Sequence, residues 1–223
     1  MVKKLVIIGV GETAELAYEY FTHDSKYEVV AFAVNEEFIV QPMLNSLPVC
    51  ALENIENAYP ASAYEVFVAV SSGKLNRVRM QLYEELKGKG YKLASYISSQ
   101  AFVWGNVEIG DNCFILENNV LQPFVKIGNN VTLWSGNHIG HRTVIGDSCF
   151  ISSHCVISGF CEIGHASFLG VNCTVEDNVT IAKDNFIGAG ALIQKNTEIG
   201  SLYQEKQTEL SKVNTYKLFR IKE

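Results

Sequence analysis

The sequence predicts a small α/β domain followed by a parallel β-helix, and three observations predict it. An aliphatic residue recurs at every sixth position through the second half of the chain. Glycine and small residues hold fixed places between those positions. Ahead of the repeat, a buried-strand run, Lys4-Leu5-Val6-Ile7-Ile8, ends in a glycine turn that opens a helical stretch.

The repeat is the dominant signal. Counted in sixes from Val103 to Ile193, all sixteen positions hold Val, Ile or Leu, and Ile97 and Ile199 keep the phase on either side. If such residues were about a quarter of a chain, chance would give this run with odds on the order of one in a billion. The next residue is often glycine, as at Gly110, Gly128, Gly140, Gly146, Gly164, Gly170 and Gly188. Glycine there is expected to supply the unusual backbone angles of a corner. The fifth position is small, and it takes five of the six cysteines, Cys113, Cys149, Cys155, Cys161 and Cys173. These read as small inward hydrophobes. Three six-residue sides close a triangular coil of 18 residues, so sixteen hexads give a little over five coils. No insertion interrupts them, which predicts a smooth prism with few places to bury a ligand by itself.

The first 95 residues read as a separate unit. Gly9-Val10-Gly11-Glu12-Thr13-Ala14 follows the first strand and leads into a helix from Glu15 to Phe21. This strand–GxGxxA–helix order matches a Rossmann-type turn, in which backbone N–H groups and a helix N-terminus cradle a phosphate. Gly9, Gly11, Glu12 and Thr13 are therefore candidate nucleotide-binding residues. A second strand, Tyr27 to Val34, ends at Asn35, where a dinucleotide site would want a carboxylate, with Glu36 next to it. A third strand, Glu65 to Val70, leads through Ser71-Ser72-Gly73-Lys74 into a helix ending near Lys87. Lys74, Asn76, Arg77 and Arg79 are candidates for phosphate or sugar contacts. The unit has the size of half a dinucleotide domain. The alternative is a plain α/β cap whose glycines only make a tight turn.

Composition bounds the partners. Hydrophobic residues make up 48% and charged residues 19%, ordinary for a folded globular chain. A formal net charge of -6 argues against nucleic acid or an anionic membrane, and leaves a small anionic molecule open. The apolar run near the N-terminus stops at Gly9, too short for a signal peptide or a span, so a cytoplasmic protein with free thiols is expected. There is no CxxC pair, and no metal site is expected.

Four of the five histidines, His138, His141, His154 and His165, fall within the repeat. The segment Trp134-Ser135-Gly136-Asn137-His138-Ile139-Gly140-His141-Arg142-Thr143-Val144-Ile145-Gly146-Asp147 resembles the hexapeptide acetyltransferases that modify amino-sugars or sialic acid in bacterial surface-glycan synthesis. These include nucleotide 4-amino-4,6-dideoxy-sugar N-acetyltransferases and sialic acid O-acetyltransferases, and the resemblance extends over nearly the whole chain. It implies a left-handed β-helix over residues 96–200, a nucleotide-sugar-binding domain over 1–95, and a tail, 201–223, that caps the prism. It also implies a homotrimer with active sites between subunits and acetyl-CoA as co-substrate.

By position in that motif His141 is the catalytic base. Gly159 lies 18 residues on, in the same column, and suits an oxyanion donor. Asp177 and Lys195 continue the column. Gly170 and Asn172, with Gly188, Ala189 and Gly190, resemble the family's acetyl-CoA groove, and Lys195 is a candidate for the CoA phosphates. His138 lies within reach of the same groove or is merely solvated. His154 and His165 read as solvated surface. Many relatives carry an acidic residue after the catalytic histidine, where this chain has Arg142. The implied activity is N-acetylation of a nucleotide-linked 4-amino-4,6-dideoxy sugar, with O-acetylation of a hydroxyl such as that of sialic acid as the alternative. Carbonic anhydrases of the γ class resemble the chain in fold but carry a close histidine pair five residues apart, absent here.

Overall fold

The computed structural model describes residues 3–221. Its N-terminal unit runs β1 (Lys3–Ile8), α1 (Glu12–His23), β2 (Tyr27–Val34), β3 (Met43–Leu44), β4 (Leu47–Ala51), α2 (Ile55–Ala58), β5 (Glu65–Val68) and α3 (Arg77–Gly88). The sheet order is β3-β4-β2-β1-β5, parallel except for the β3–β4 hairpin. β1 reads as an unbroken apolar run because both faces are covered. Leu5 and Ile7 join Ala14, Ala17 and Phe21 of α1 in one cluster, while Val6 and Ile8 join Tyr83 and Leu86 of α3 in another. The hairpin was not expected from the sequence. Its turn, Asn45-Ser46, takes positive φ at both residues without the Asn-Gly signature that announces such turns.

From Tyr96 the chain winds into eighteen two-residue strands, ending at Leu202–Tyr203. They form three parallel sheets in which residue i pairs with i+18, as His138 pairs with Val156 and Phe150 with Phe168, except at the last strand, where Phe186 pairs with Leu202. In the strands up to Leu192–Ile193 the first residue faces out and the second, from the six-step series, faces in. Leu121, Ile139, Ile157 and Val175 are accordingly fully buried. The five repeat cysteines line the same core, where burial pushes the Cys113 and Cys149 thiols up to about 12. The coil and its repeat fit a left-handed β-helix.

The corner glycines serve a different purpose from the one expected. The left-handed residue of each corner lies two positions later, at Asn112, Asn130, Arg142, His154, Phe160 and their equivalents, and most of these are not glycine, Gly136 and Gly190 being the exceptions. Gly140 and Gly170 instead give room to the next coil. A Cβ on Gly140 would lie 2.4 Å from the Ser158 carbonyl carbon, and one on Gly170 2.6 Å from the Ala189 nitrogen.

The three faces differ in chemistry. An aromatic face presents Phe114, Phe150, Phe168 and Phe186 outward. An apolar face presents Phe102, Val120, His138, Val156 and Leu192. A charged face presents Glu108, Lys126 and Glu162.

The N-terminal unit docks on the corner between the charged and aromatic faces. Arg79 is fully buried, and its guanidinium donates to the carbonyls of Asn130, Ser148 and Cys149 and to Asn76 Oδ1. Asn76, also buried, donates to the Ala166 carbonyl at 3.2 Å. Tyr83 bonds Asp111 at 2.6 Å and Arg77 pairs with Asp184 at 2.5 Å. This corrects the reading of Asn76, Arg77 and Arg79 as substrate contacts: these donors bind the backbone and acids of the prism. Across the junction, Tyr20 bonds Glu117 at 2.8 Å and Tyr96 bonds Asp24 at 2.7 Å.

The tail also departs from expectation. Leu202–Tyr203 adds a strand beside Phe186–Ile187, which completes the aromatic sheet. Beyond it Leu210 is 97% exposed, and Tyr216, Leu218 and Phe219, around a short helix Thr215–Phe219, are exposed as well. The last two residues of the tail lie outside the described ones.

Burial pushes the Arg79 guanidinium down to about 10, so it remains charged at neutral pH. Arg79→Met strands several buried carbonyls and is expected to cost about 2–4 kcal/mol, read as a fall in Tm of roughly 5–10 °C. Asp24 is held below the usual carboxylate range by Tyr96 and Ser99. Glu117, pushed up by burial, is pulled down further by Ser135 and Tyr20. Their stabilisation is present above the unfolded carboxylate value of about 4 and lost as pH falls through the lower folded values. Tm measured from pH 7 to 3 is expected to fall most steeply below pH about 4, and less so in Tyr96→Phe.

Candidate active site

His141 sits on the corner between the strand His138–Ile139 of the apolar face and Val144–Ile145 of the charged face. The 18-residue register stacks it directly on Gly159. A Cβ there would stand 2.7 Å from His141 Cε1 and 3.0 Å from Nδ1, so the imidazole rests where only glycine leaves room. The Phe160 ring meets its edge at 4.9 Å between centroids. The His141 backbone N–H donates to Gln122 Oε1 at 2.9 Å, and the same oxygen lies 3.3 Å from Nδ1. Nε2 has no partner among the described residues, and the side chain is exposed. Arg142 turns away, its guanidinium 4.4 Å from the centre of the Phe124 ring.

Gly159 does not offer the free donor that was expected. Its N–H is donated to Asp177 Oδ1 at 2.7 Å. The physical reason is general to this prism: a corner N–H points outward, and a side-chain acceptor one coil along takes it. The Asn129 N–H bonded to Asp147 at 2.6 Å is another case. Gly159 is thus a seat for the imidazole. His138 projects from the apolar face, half-buried between Val120 and Val156, and not from the His141 corner. His154 and His165 are exposed on the two other corners.

At the corner between the aromatic and apolar faces lies an open groove of about 590 Å³, lined by Gly170, Val171, Gly188, Ala189, Phe168 and Phe186 among others. It brings together three of the residues read as a CoA groove, with Asn172 and Gly190 one step along the same corners. Among the described residues the backbone N–H groups of Val171 and Ala189 have no acceptor. Phe150, Phe168 and Phe186 stack beside it at 5.4 and 4.8 Å. Lys195 is not among these residues. It follows the strand Leu192–Ile193 on the His141 corner. Within one chain the groove and His141 therefore occupy opposite edges of the apolar face.

A second cavity, of about 480 Å³, opens at the C-terminal ends of β1, β2 and β5. Gly9, Gly11, Glu12 and Thr13 line it, with Val34, Phe38, Ser71, Val78 and Leu82. Gly9 has φ +128°, and a Cβ would lie 2.7 Å from the Ala69 carbonyl oxygen, so glycine is required there. Gly11 precedes α1 with no side-chain cap, which leaves first-turn N–H groups facing the cavity end of the helix. Asn35, next to the lining residue Val34, does not line it and is committed to Glu53 at 3.3 Å. Glu53 also accepts the Glu36 N–H at 3.2 Å. Glu53, from beyond β4, thus brings a further carboxylate to the end of β2 and had no sequence signal. Lys74 opens a left-handed run, Lys74-Leu75-Asn76, before α3. Among the described residues no three His, Cys, Asp or Glu side chains converge as a metal site, and no helix is long and apolar enough to cross a membrane.

Residues 124–159, which include His141 and Gly159, match the family profile described as bacterial transferase hexapeptide (six repeats). No curated protein matches the chain. Among solved structures it is similar to a mutant of perosamine N-acetyltransferase from Caulobacter crescentus in complex with CoA and GDP-perosamine, with TM-score 0.81 and 22% identity over 91% of this chain and 93% of that one. The acetyltransferase domain of PglB from Neisseria gonorrhoeae, in complex with acetyl coenzyme A, superposes with TM-score 0.81 and 23% identity over 91% and 96%. WeeI from Acinetobacter baumannii gives 0.55 and 18% over 90% and 95%. The likeness establishes a shared fold along nearly the whole chain, in keeping with the resemblance read from the sequence.

Gly159→Ala tests the seat. The substitution fits the backbone but drives a methyl into the imidazole, and the folded protein is expected to lose catalytic turnover by about 10- to 100-fold, read as kcat beside an unchanged circular dichroism spectrum.

Proposed function

We propose that the chain is an acetyl-CoA-dependent N-acetyltransferase acting on the amino group of a nucleotide-linked 4-amino-4,6-dideoxy sugar in bacterial surface-glycan synthesis. The observation that carries this reading is His141 Nε2, without a partner among the described residues at an open corner, on a fold shared with acetyltransferases crystallised with CoA, acetyl-CoA and a GDP-linked sugar. The cavity around Gly9, Gly11, Glu12 and Thr13 would hold the nucleotide of a Rossmann-like domain, with its diphosphate toward the start of α1 and Lys74. The groove at Gly170, Gly188 and Ala189 would hold the pantetheine arm, whose amide carbonyls suit the free N–H groups of Val171 and Ala189. The division of these parts between two edges supports a homotrimer, in which one copy's groove meets His141 of the next, and the apolar face is the surface such packing would cover. Lys195, on the His141 edge, would then reach CoA phosphates bound by the neighbour. A cytoplasmic location follows from the supply of acetyl-CoA and nucleotide sugars.

In the reaction the amine nitrogen attacks the thioester carbonyl carbon while His141 Nε2 takes an N–H proton. The tetrahedral intermediate collapses with cleavage of the C–S bond, and the imidazolium returns the proton to the departing sulfur. Thiol release from acetyl-CoA is measured against UDP-, dTDP- and GDP-linked 4-amino-4,6-dideoxy sugars and free sialic acid. Turnover of one amino-sugar nucleotide is expected, with a loss of about 10²- to 10⁴-fold in His141→Ala. Turnover of sialic acid alone would replace the reading with O-acetylation, and a fully active His141→Ala would remove the base.

A further inference from the structure

We infer that Gln122 is a positioning residue that locks the His141 imidazole in the Nδ1–H form and leaves Nε2 free to accept a proton; this rests on His141 being the base. The argument begins at the backbone. The His141 main-chain N–H, which can only donate, lies 2.9 Å from the Gln122 side chain, so the Gln122 atom there is the carbonyl oxygen. That oxygen is also 3.3 Å from His141 Nδ1. An amide oxygen cannot donate, so Nδ1 carries the hydrogen and the neutral ring keeps its lone pair at Nε2.

The fold holds both partners with little freedom. The Gln122 N–H donates to the Ile139 carbonyl at 3.1 Å and the Gly140 N–H to the Ile157 carbonyl at 2.7 Å, which fixes the register of successive coils around the pair. Gln122 takes the post-aliphatic corner position that holds glycine in the following coil, and its side chain reaches along the corner to the residue after that glycine. Phe160 at the ring edge and Gly159 beneath it restrict the remaining rotation. The charged groups nearest in the column do not compete. The Asp177 carboxylate takes the Gly159 N–H, and Arg142 lies over Phe124. A neutral amide, and not an acidic residue, is therefore the partner of His141 Nδ1. A histidine side chain free in water favours the opposite, Nε2–H form, which has no lone pair where the amine must deliver its proton. Holding the correct tautomer is a recognised contribution of a histidine's partner in catalysis.

The test combines spectroscopy with kinetics on the full chain. Long-range ¹H–¹⁵N spectra of histidine-labelled protein, with His141 assigned by its loss in His141→Asn, are expected to show a neutral ring protonated at Nδ1. Gln122→Leu is expected to shift the ring toward Nε2–H and to lower kcat by about 10- to 100-fold, with KM for acetyl-CoA and sugar nucleotide within about 2-fold of wild type. Gln122→Glu keeps an acceptor for both N–H groups; it is expected to restore the tautomer and most of kcat, and to move the acidic limb of the rate–pH profile upward, since a carboxylate favours the imidazolium. A wild-type ring protonated at Nε2 overturns the inference without need of any variant. So does a folded Gln122→Leu that keeps both the tautomer and kcat. Full turnover by His141→Ala would instead sink the base reading, whatever the spectra show.

Discussion

Everything in this molecule depends on the parallel pairing of residue i with residue i+18. That register closes the prism, sends every sixth aliphatic side chain inward and stacks equivalent corners into straight columns. It also dictates chemistry, because within the prism a corner side chain meets chiefly what lies one coil above or below. His141 rests on Gly159, and Gly159 donates to Asp177, for that reason. A column is therefore a small linear array whose members are set by sequence but whose contacts are set by the coil.

The corners divide the labour. Where the charged and aromatic faces meet, polar side chains such as Asn112, Asn130 and Asp111 bind the N-terminal unit, with Arg79 buried among prism carbonyls. Where the aromatic and apolar faces meet, small residues leave backbone N–H groups open along a groove. Where the apolar and charged faces meet, the histidine stands exposed. Arg79 shows the cost of such a junction: a buried guanidinium is tolerable only because its NH1 and NH2 groups find carbonyl and amide oxygens. The arrangement holds the nucleotide-sized cavity in a fixed relation to the prism.

The repeat was legible because it is a period, and a period survives any uncertainty about single residues. The buried first strand and its glycine turn were legible for a similar reason, since an apolar run followed by GxGxxA has few other structural uses. His141 was legible through the motif around it. Gln122 was not, because a lone glutamine one residue out of the 18-residue register carries no signal. Glu53 was hidden likewise, as its pairing with Asn35 and Glu36 crosses from the end of β4 to the end of β2. Asn76 and Arg79 misled because polar residues beside a phosphate-sized turn look the same whether they face solvent or a second domain.

The sequence by itself determined the two-unit fold, the inward cysteines and the histidine on its corner, because each follows from local pattern and fixed period. The tertiary structure alone decided which donors remain free. It committed the Gly159 N–H to Asp177, spent Arg79 on the prism and left the N–H groups of Val171 and Ala189 without an acceptor among the described residues. Hydrogen-bond satisfaction is a property of neighbours in space, and a one-dimensional pattern names candidates without saying which of them already have a partner.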